Sequence, residues 1–146
     1  MYVKKIIKTF FNPYVVNVHT VDVQHRRLNG LNNSLCELCK SPEKQPDLRL
    51  ASAIKQTMYF FNFHFKYEEE LMRNTAFPDF EKHRQTHNKF FKNFLDQVRF
   101  YESGERFIPE QFIGFLNDWK SSHYAVDMEM GMFLKEKARL QHAVGP

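Results

Sequence analysis

The chain has few of the residues that interrupt helices or cross-link a fold. Its 146 residues include five glycines, six prolines, two cysteines and one tryptophan. So little glycine argues against a turn-rich β fold, and two cysteines agree with a reducing compartment. Long apolar runs are also missing, and the basic start of the chain contains neither a signal-peptide core nor a small-residue cleavage site. We therefore expect no membrane span and a cytoplasmic location.

Charge of one sign is scarce as well. The formal net charge is +4 and is spread along the chain. Because no block of lysine and arginine reaches the length of a nucleic-acid-binding arm, we expect no nucleic-acid partner.

Phenylalanine, by contrast, is abundant, with sixteen copies against six tyrosines. This load of large rings suits a helical core, and the length leaves room for a single domain over 1–146. Four segments repeat apolar residues with helical spacing, and breakers separate them. Their approximate bounds are 22–40, 48–74, 79–101 and 109–134.

Short loops between long helices favour antiparallel neighbours. The sequence therefore predicts an all-α, antiparallel up-down-up-down four-helix bundle over about 20–134, with an N-terminal arm at 1–19 and a short helical tail at 135–146. We expect Asp47 to cap the second helix. The apolar seam of that helix follows a heptad pattern through Leu50, Ile54, Thr57, Phe61, residues 64 and 68, and Leu71.

Polar side chains interrupt these seams where a bundle places its core. Five histidines and two carboxylates lie on seam positions, and every helix supplies at least one of them. They are His25, His64, Glu68, His83, His87, His123 and Asp127. A single inward histidine is usually a hydrogen-bonded core residue, but burying the whole set without partners would cost several kcal/mol per charged group.

The spacing of the set favours metal ligation. Three pairs of its members are four residues apart on three different helices, so each pair projects from one face of its helix. Seven ligands exceed the three or four of a zinc site, and they suit two ions bridged by carboxylates. Imidazole and carboxylate ligands without thiolate favour iron, with manganese or adventitious zinc as alternatives.

The motifs that contain these residues resemble those of the hemerythrin family, including its bacterial single-domain members. The resemblance covers about residues 14–134 and all four helices. The matching stretches are Val21-Asp22-Val23-Gln24-His25, His64-Phe65-Lys66-Tyr67-Glu68-Glu69-Glu70-Leu71-Met72, Phe77-Pro78 followed by His83 and His87, and Trp119 followed by His123 and Asp127.

The resemblance implies a cofactor and a role for each ligand. Two iron ions, as Fe2+ or Fe3+, would be held by the protein, one by the last three of the five histidines and the other by the first two. Glu68 and Asp127 would bridge the ions together with an oxo or hydroxo group, and dioxygen would be the ligand of the remaining open position. The family also implies that the N-terminal arm packs across the bundle.

Two positions depart from the family pattern. The family typically places its bridging aspartate five residues after the last histidine, whereas Asp127 follows His123 by four. Where the family usually has a leucine over the oxygen pocket, this chain has Lys120, which could snorkel outward, admit water or donate a hydrogen bond to a bound anion.

Besides Lys120, we expect four aromatic residues to line the oxygen pocket: Trp119, Phe65, Phe61 and Phe90. The pair Cys36 and Cys39 fits two ordinary stripe positions of the first helix better than a redox or zinc motif. His19 and His142 are expected at exposed ends of the bundle.

The function that follows from the resemblance is reversible dioxygen binding for storage, delivery or sensing, without enzymatic turnover. A di-iron redox enzyme that reduces peroxide, oxygen or nitric oxide is the second hypothesis, and it would need an electron-donating reductase as partner. Iron storage or sensing comes third, and a metal-free structural bundle last. Homo-oligomerisation stays open.

Overall fold

A computed structural model describes residues 18–40, 48–104 and 107–145, and four α-helices account for nearly all of them. The helices are α1 (His19–Cys39), α2 (Leu48–Asn74), α3 (Phe80–Ser103) and α4 (Pro109–Ala143). Each helix packs against two others: α1 and α3 both contact α2 and α4. The prediction of an all-α four-helix bundle is confirmed.

The bundle core consists of two apolar clusters with a polar layer between them. The larger cluster is rich in phenylalanine and includes Phe61, Phe94 and Phe112, each at most 1% exposed. The smaller cluster is built on Val21, Met72, Phe77 and Met130. Because the polar layer lies between these clusters, both ends of it are closed to solvent by packed side chains.

The turns that join the helices are fixed by a few local contacts. Gly104 ends α3 in the left-handed conformation, with φ 68°, which glycine adopts without steric cost. Pro109 begins α4 at a position where its missing N–H is not needed. Between α2 and α3, the backbone N–H of Phe77 donates to the carbonyl of Met72 at 2.9 Å, and this turn directs Phe77 into the smaller cluster.

The last helix is longer than the sequence predicts. The sequence predicts a separate short tail at 135–146, but α4 continues without a break to Ala143. Residues 135–143 contain no glycine or proline, and Arg139 forms a bidentate ion pair with Glu136 one turn earlier, so nothing stops the helix. The ammonium group of Lys137 donates to the carbonyl of Thr75, which ties this extension to the turn between α2 and α3.

The seam of α2 also differs at one position. Leu71 is only half-buried, and Met72 takes the core position with 0% exposure. A straight helix drifts from a strict heptad repeat. The next core position after Glu68 is therefore four residues further on, at Met72, and not three, at Leu71. The predicted cap Asp47 and most of the N-terminal arm lie outside the described residues. Within the described helices, none has the length and apolar character needed to cross a membrane.

Candidate metal centre

The polar layer brings the seven predicted ligands together, each at most 2% exposed. Their ligand atoms form two groups, and within each group the atoms all lie within 4.8 Å of one another. The three-histidine group contains Glu68, His83, His87, His123 and Asp127, and the two-histidine group contains His25, His64, Glu68 and Asp127. Both carboxylates therefore belong to both groups.

Glu68 directs one oxygen to each group. Its Oε1 lies 3.3 Å from Nε2 of His64, and its Oε2 lies 3.2 Å from Nε2 of His87. Since α2 carries His64 and Glu68 one turn apart on its buried face, this orientation follows directly from their helical spacing.

Asp127 does the same from α4. Its Oδ2 lies 2.8 Å from Nε2 of His25, and its Oδ1 lies 3.0 Å from Nε2 of both His83 and His123. A spacing of four residues after His123 therefore brings this carboxylate between the two groups.

The cluster contains buried polar atoms that its own residues leave unsatisfied. Both oxygens of Glu68, Oδ1 of Asp127, and Nε2 of His64 and of His83 are buried without a hydrogen-bond partner among the described residues. Such atoms are costly unless a cation or hydrogen bond satisfies them. Nitrogen and oxygen donors converging in this way fit the ligand set of a transition-metal site.

The two buried carboxylates and burial itself together set the pKa values of the histidines in the cluster. Burial alone would lower the pKa of His25 and of His123, but Asp127 and Glu68 raise these pKa values to about 9 and about 10. Burial lowers the pKa of His64 to about 4. Burial alone would raise the pKa of both carboxyl groups, but the surrounding histidines hold each pKa below its usual value. In the metal-free chain, protons on histidines therefore balance two buried negative charges.

Three residues outside the ligand set contact the histidines; two of them, Gln24 and Glu69, stand in the motifs quoted above without a role, and Thr86 does not appear there. Nδ1 of His64 donates to Oε1 of Gln24 at 2.8 Å, and Nδ1 of His87 donates to Oε1 of Glu69 at 2.9 Å. Because each Nδ1 carries the proton, each Nε2 lone pair faces the cluster. Thr86 donates to the carbonyl of His83 at 2.6 Å, and its hydroxyl oxygen lies 3.4 Å from Nδ1 of His123. Adjacency to a ligand was the available signal, since Gln24 and Glu69 each neighbour one in the chain.

Aromatic rings close the cluster against water. Phe65 stacks on His87 with ring centroids 4.1 Å apart and planes 9° apart. Trp119 stacks on His123 at 4.6 Å and 16°. Of the other predicted pocket residues, Phe61 and Phe90 pack behind these two rings, at 4.8 Å and 4.4 Å from Trp119.

Tyr124 is a further ring that the sequence analysis missed. It is 5% exposed, its ring meets that of His25 edge to face at 4.3 Å, and its hydroxyl donates to the carbonyl of His25 at 3.4 Å. Its position directly after His123 was the only signal.

The remaining singled-out residues do not belong to either group of the cluster. Lys120 is half-buried, and its charge acts on the thiol of Cys36, where it partly offsets the rise of the Cys36 pKa caused by burial. Burial also raises the pKa of Cys39, to about 11, and both cysteines are free thiols. His19 and His142 are exposed, as expected.

Comparison with known families agrees with this centre. The family model described as the hemerythrin HHE cation binding domain matches residues 16–125. The chain belongs to the hemerythrin family. The matched range contains the five buried histidines and Glu68, and it ends two residues before Asp127.

Individual hemerythrin relatives are distant. A hemerythrin-like protein of Naegleria gruberi is 28% identical over 110 residues, which cover 75% of this chain and 78% of the relative. The bacteriohemerythrin of Stenotrophomonas maltophilia is 25% identical over 77% of this chain and 71% of its own length. That of Methylococcus capsulatus is 23% identical over 73% and 79%. No solved structure matches the chain significantly.

Proposed function

We propose that this hemerythrin-family chain binds dioxygen reversibly at a carboxylate-bridged di-iron centre, for oxygen storage, delivery or sensing. The observation that carries the proposal is the unequal make-up of the two ligand groups. They share Glu68 and Asp127, but the three-histidine group has five donor residues and the two-histidine group has four. Two ions held there would differ by one protein ligand, and the deficient one would offer dioxygen an open position.

The ligand set supports iron as the pair of ions. Mixed imidazole and carboxylate donors suit a metal that cycles between two oxidation states, and a bridging oxo or hydroxo group would complete the coordination. When bound, two ferrous ions would supply the electrons that dioxygen draws on binding.

The residues of the chain itself would make binding reversible by excluding water and fixing the ligands. Phe65, Trp119 and Tyr124 pack rings against three different histidines of the cluster, so bulk water has little access to the ions. Gln24 and Glu69 hold the histidine rings in orientation through their Nδ1 groups. We expect binding without catalytic turnover, and the two free thiols agree with a cytoplasmic location.

The test is reconstitution of the full chain with ferrous iron without oxygen, followed by admission of air and recording of the visible spectrum. We expect two irons per chain and a charge-transfer band that appears with oxygen and disappears when oxygen is removed. Irreversible conversion to the oxidised form would contradict reversible binding and favour a redox enzyme. Failure to take up iron would contradict the metal assignment.

A further inference from the structure

Two polar side chains outside the metal centre are buried in the core between α1 and α2. Asn32 of α1 is 4% exposed, and Thr57 of α2 is 0% exposed. The Oδ1 atom of Asn32 and the Oγ1 atom of Thr57 are buried without a hydrogen-bond partner among the described residues. Because buried polar atoms are normally hydrogen-bonded, both atoms need a partner that the described residues do not supply.

The helix register places the two side chains at the same level of the bundle. The rings of His25 and His64 meet with centroids 5.0 Å apart, which fixes the level of α1 against α2. The two helices run in opposite directions, since the smaller cluster joins the start of α1 to the end of α2. Asn32 follows His25 by seven residues, and Thr57 precedes His64 by seven. Both therefore lie on the histidine faces of their helices, two turns or about 10 Å away.

Apolar layers enclose this polar level on both sides. The layer toward the histidines contains Leu28 and Phe61, each at most 1% exposed. The layer on the far side contains Leu35 and Ile54, each at most 3% exposed. All four belong to the larger cluster, and each is three or four residues from one of the two polar side chains along its helix. The polar level is thus an interruption of an otherwise apolar stretch of core.

A groove between α1 and α2 leads from the surface to this level. Its volume is about 430 Å³. Exposed polar side chains line its mouth, among them Ser34, Ser52 and Gln56, and the buried Thr57 lines its floor. The groove therefore offers solvent a route to the level of the two polar side chains.

We propose that Asn32 and Thr57 hold an internal water molecule between α1 and α2, one apolar layer away from the two-histidine group. Water can donate to the amide oxygen and accept from the hydroxyl, so a single molecule satisfies both residues. One amide oxygen and one hydroxyl are too few ligands for a cation. An apolar gas would leave both polar atoms unsatisfied.

The place of this water bears on the metal centre, and this second step rests on the function proposed above. The two histidines whose ion would keep an open position come from the same two helices, α1 and α2. Water that passes the layer of Leu28 and Phe61 would arrive beside these histidines and shorten the lifetime of the oxygenated chain. The site would thus act as a local store of water that sets the rate of autoxidation.

Nuclear Overhauser spectroscopy of the full chain tests for the water directly, without iron because its paramagnetism broadens nearby signals. We expect a cross-peak between the Thr57 methyl group and water, and its loss in Asn32→Leu. A signal relayed through the hydroxyl of Thr57 itself would remain in that variant, so persistence of the cross-peak overturns the proposal, as does its absence from the unmodified chain. Asn33→Leu, at the exposed neighbouring position of α1, is the matched control and should keep the cross-peak.

Urea unfolding tests the site by the sign of the stability change. Thr57→Val removes the hydroxyl and keeps the shape. The ratio of folded to unfolded chain should fall about 5- to 30-fold if the hydroxyl bonds a water, whereas it should rise if the hydroxyl has no partner. Thr20→Val, at an exposed position of α1, is the control, and circular dichroism checks that each variant remains helical.

A double variant shows whether the two residues share the same water. Asn32→Leu with Thr57→Val should lose less stability than the sum of the two single changes, because either change already removes the water. Additive losses, or a gain of stability in Thr57→Val, overturn the proposal.

The role in water supply is tested with the iron-loaded chain in air. Asn32→Leu should slow the decay of the oxygen-dependent band at least about threefold relative to Asn33→Leu. Equal decay in the two variants overturns this role. Because the cross-peak is recorded without iron, failure of reversible oxygen binding would refute the proposed function and leave the water site to be decided by its own test.

Discussion

The carboxylate of Asp127 lies 2.8 Å from Nε2 of His25, joining the last helix of the bundle to the first. Asp127 follows His123 by four residues, so both side chains project from the same buried face of α4. The four-residue spacing therefore leaves the carboxylate within reach of both ligand groups.

We predict that Asp127→Asn lowers the iron content of the reconstituted chain from two ions toward one. The amide has one oxygen and no negative charge, so it cannot serve both groups. Metal analysis after gel filtration measures the stoichiometry. Glu129→Gln is the control, because Glu129 is exposed two residues further along α4. Two ions retained in Asp127→Asn would show that Asp127 is not a bridging ligand.

We predict that Glu69→Gln weakens iron binding about 10- to 100-fold, the usual effect of removing a hydrogen-bond partner of a ligand histidine. The neutral amide is a weaker acceptor for Nδ1 of His87 than the carboxylate is. Competition with a chelator measures the affinity. Glu70→Gln removes the same charge from an exposed neighbouring position, and an equal effect of both changes would assign the loss to net charge instead.

Lys120→Leu should slow autoxidation of the oxygenated chain if Lys120 admits water to the centre. Leucine is apolar and removes a charge from the helical turn that precedes His123. The decay of the oxygen-dependent band measures the rate. Lys92→Leu, at an exposed position of α3, is the control. An unchanged autoxidation rate in Lys120→Leu would show that Lys120 does not admit water to the centre.

The metal-free chain should become less stable as pH rises from 6.5 to 10. The raised pKa values of His25 and His123, about 9 and about 10, mean that the folded state binds these protons more tightly than the unfolded state does. This stabilisation is complete below pH 6.5 and is lost as pH passes 9 and 10, with a contribution on the order of 3 kcal/mol for His25.

Urea unfolding at a series of pH values measures this trend. The low pKa of His64, about 4, acts in the opposite sense and only below pH 6.5, so the two effects occupy separate ranges. Iron-loaded chain should not show the decline, because cations replace the protons. An unfolding free energy that rises between pH 6.5 and 9 in the metal-free chain would refute the assignment.

Phe94→Ala should destabilise the metal-free chain by about 3–5 kcal/mol. Phe94 is 0% exposed and packs against Phe61, Phe90 and Phe112, so truncation leaves a cavity in the larger cluster. Phe63→Ala removes the same ring from a position that is 55% exposed and should change stability by less than about 1 kcal/mol. Similar losses in both variants would mean that Phe94 is not a core residue.

The buried positions of the seven polar residues could be predicted from the sequence because residues four apart on a helix project from the same face. A histidine on an apolar seam must face the core, so the inward positions of His25 and His64 followed from periodicity alone. The residues that hold the rings were harder to find. Gln24 lies next to a ligand in the chain but contacts His64 on another helix, and such a pairing depends on how the helices are rotated against each other.

The packing of Trp119 and the length of α4 were beyond the sequence for a related reason. Trp119 is expected beside the oxygen pocket from the family motif, but its stacking on His123 and its contact with Phe90 depend on side-chain packing between α3 and α4. The end of α4 was misplaced because a charged stretch reads as a tail, although its residues are good helix formers.

The C-terminal end of α4 contacts the turn between α2 and α3, which its charged sequence does not suggest. Lys137 donates a hydrogen bond to the carbonyl of Thr75. Thr75 lies in the turn that joins the helix of Glu68 to the helix of His83. The C-terminal extension of α4 thus adds a contact at the closed end of the hairpin formed by α2 and α3. A truncation at 134 would remove this contact from the turn that leads from the helix of Glu68 into the helix of His83.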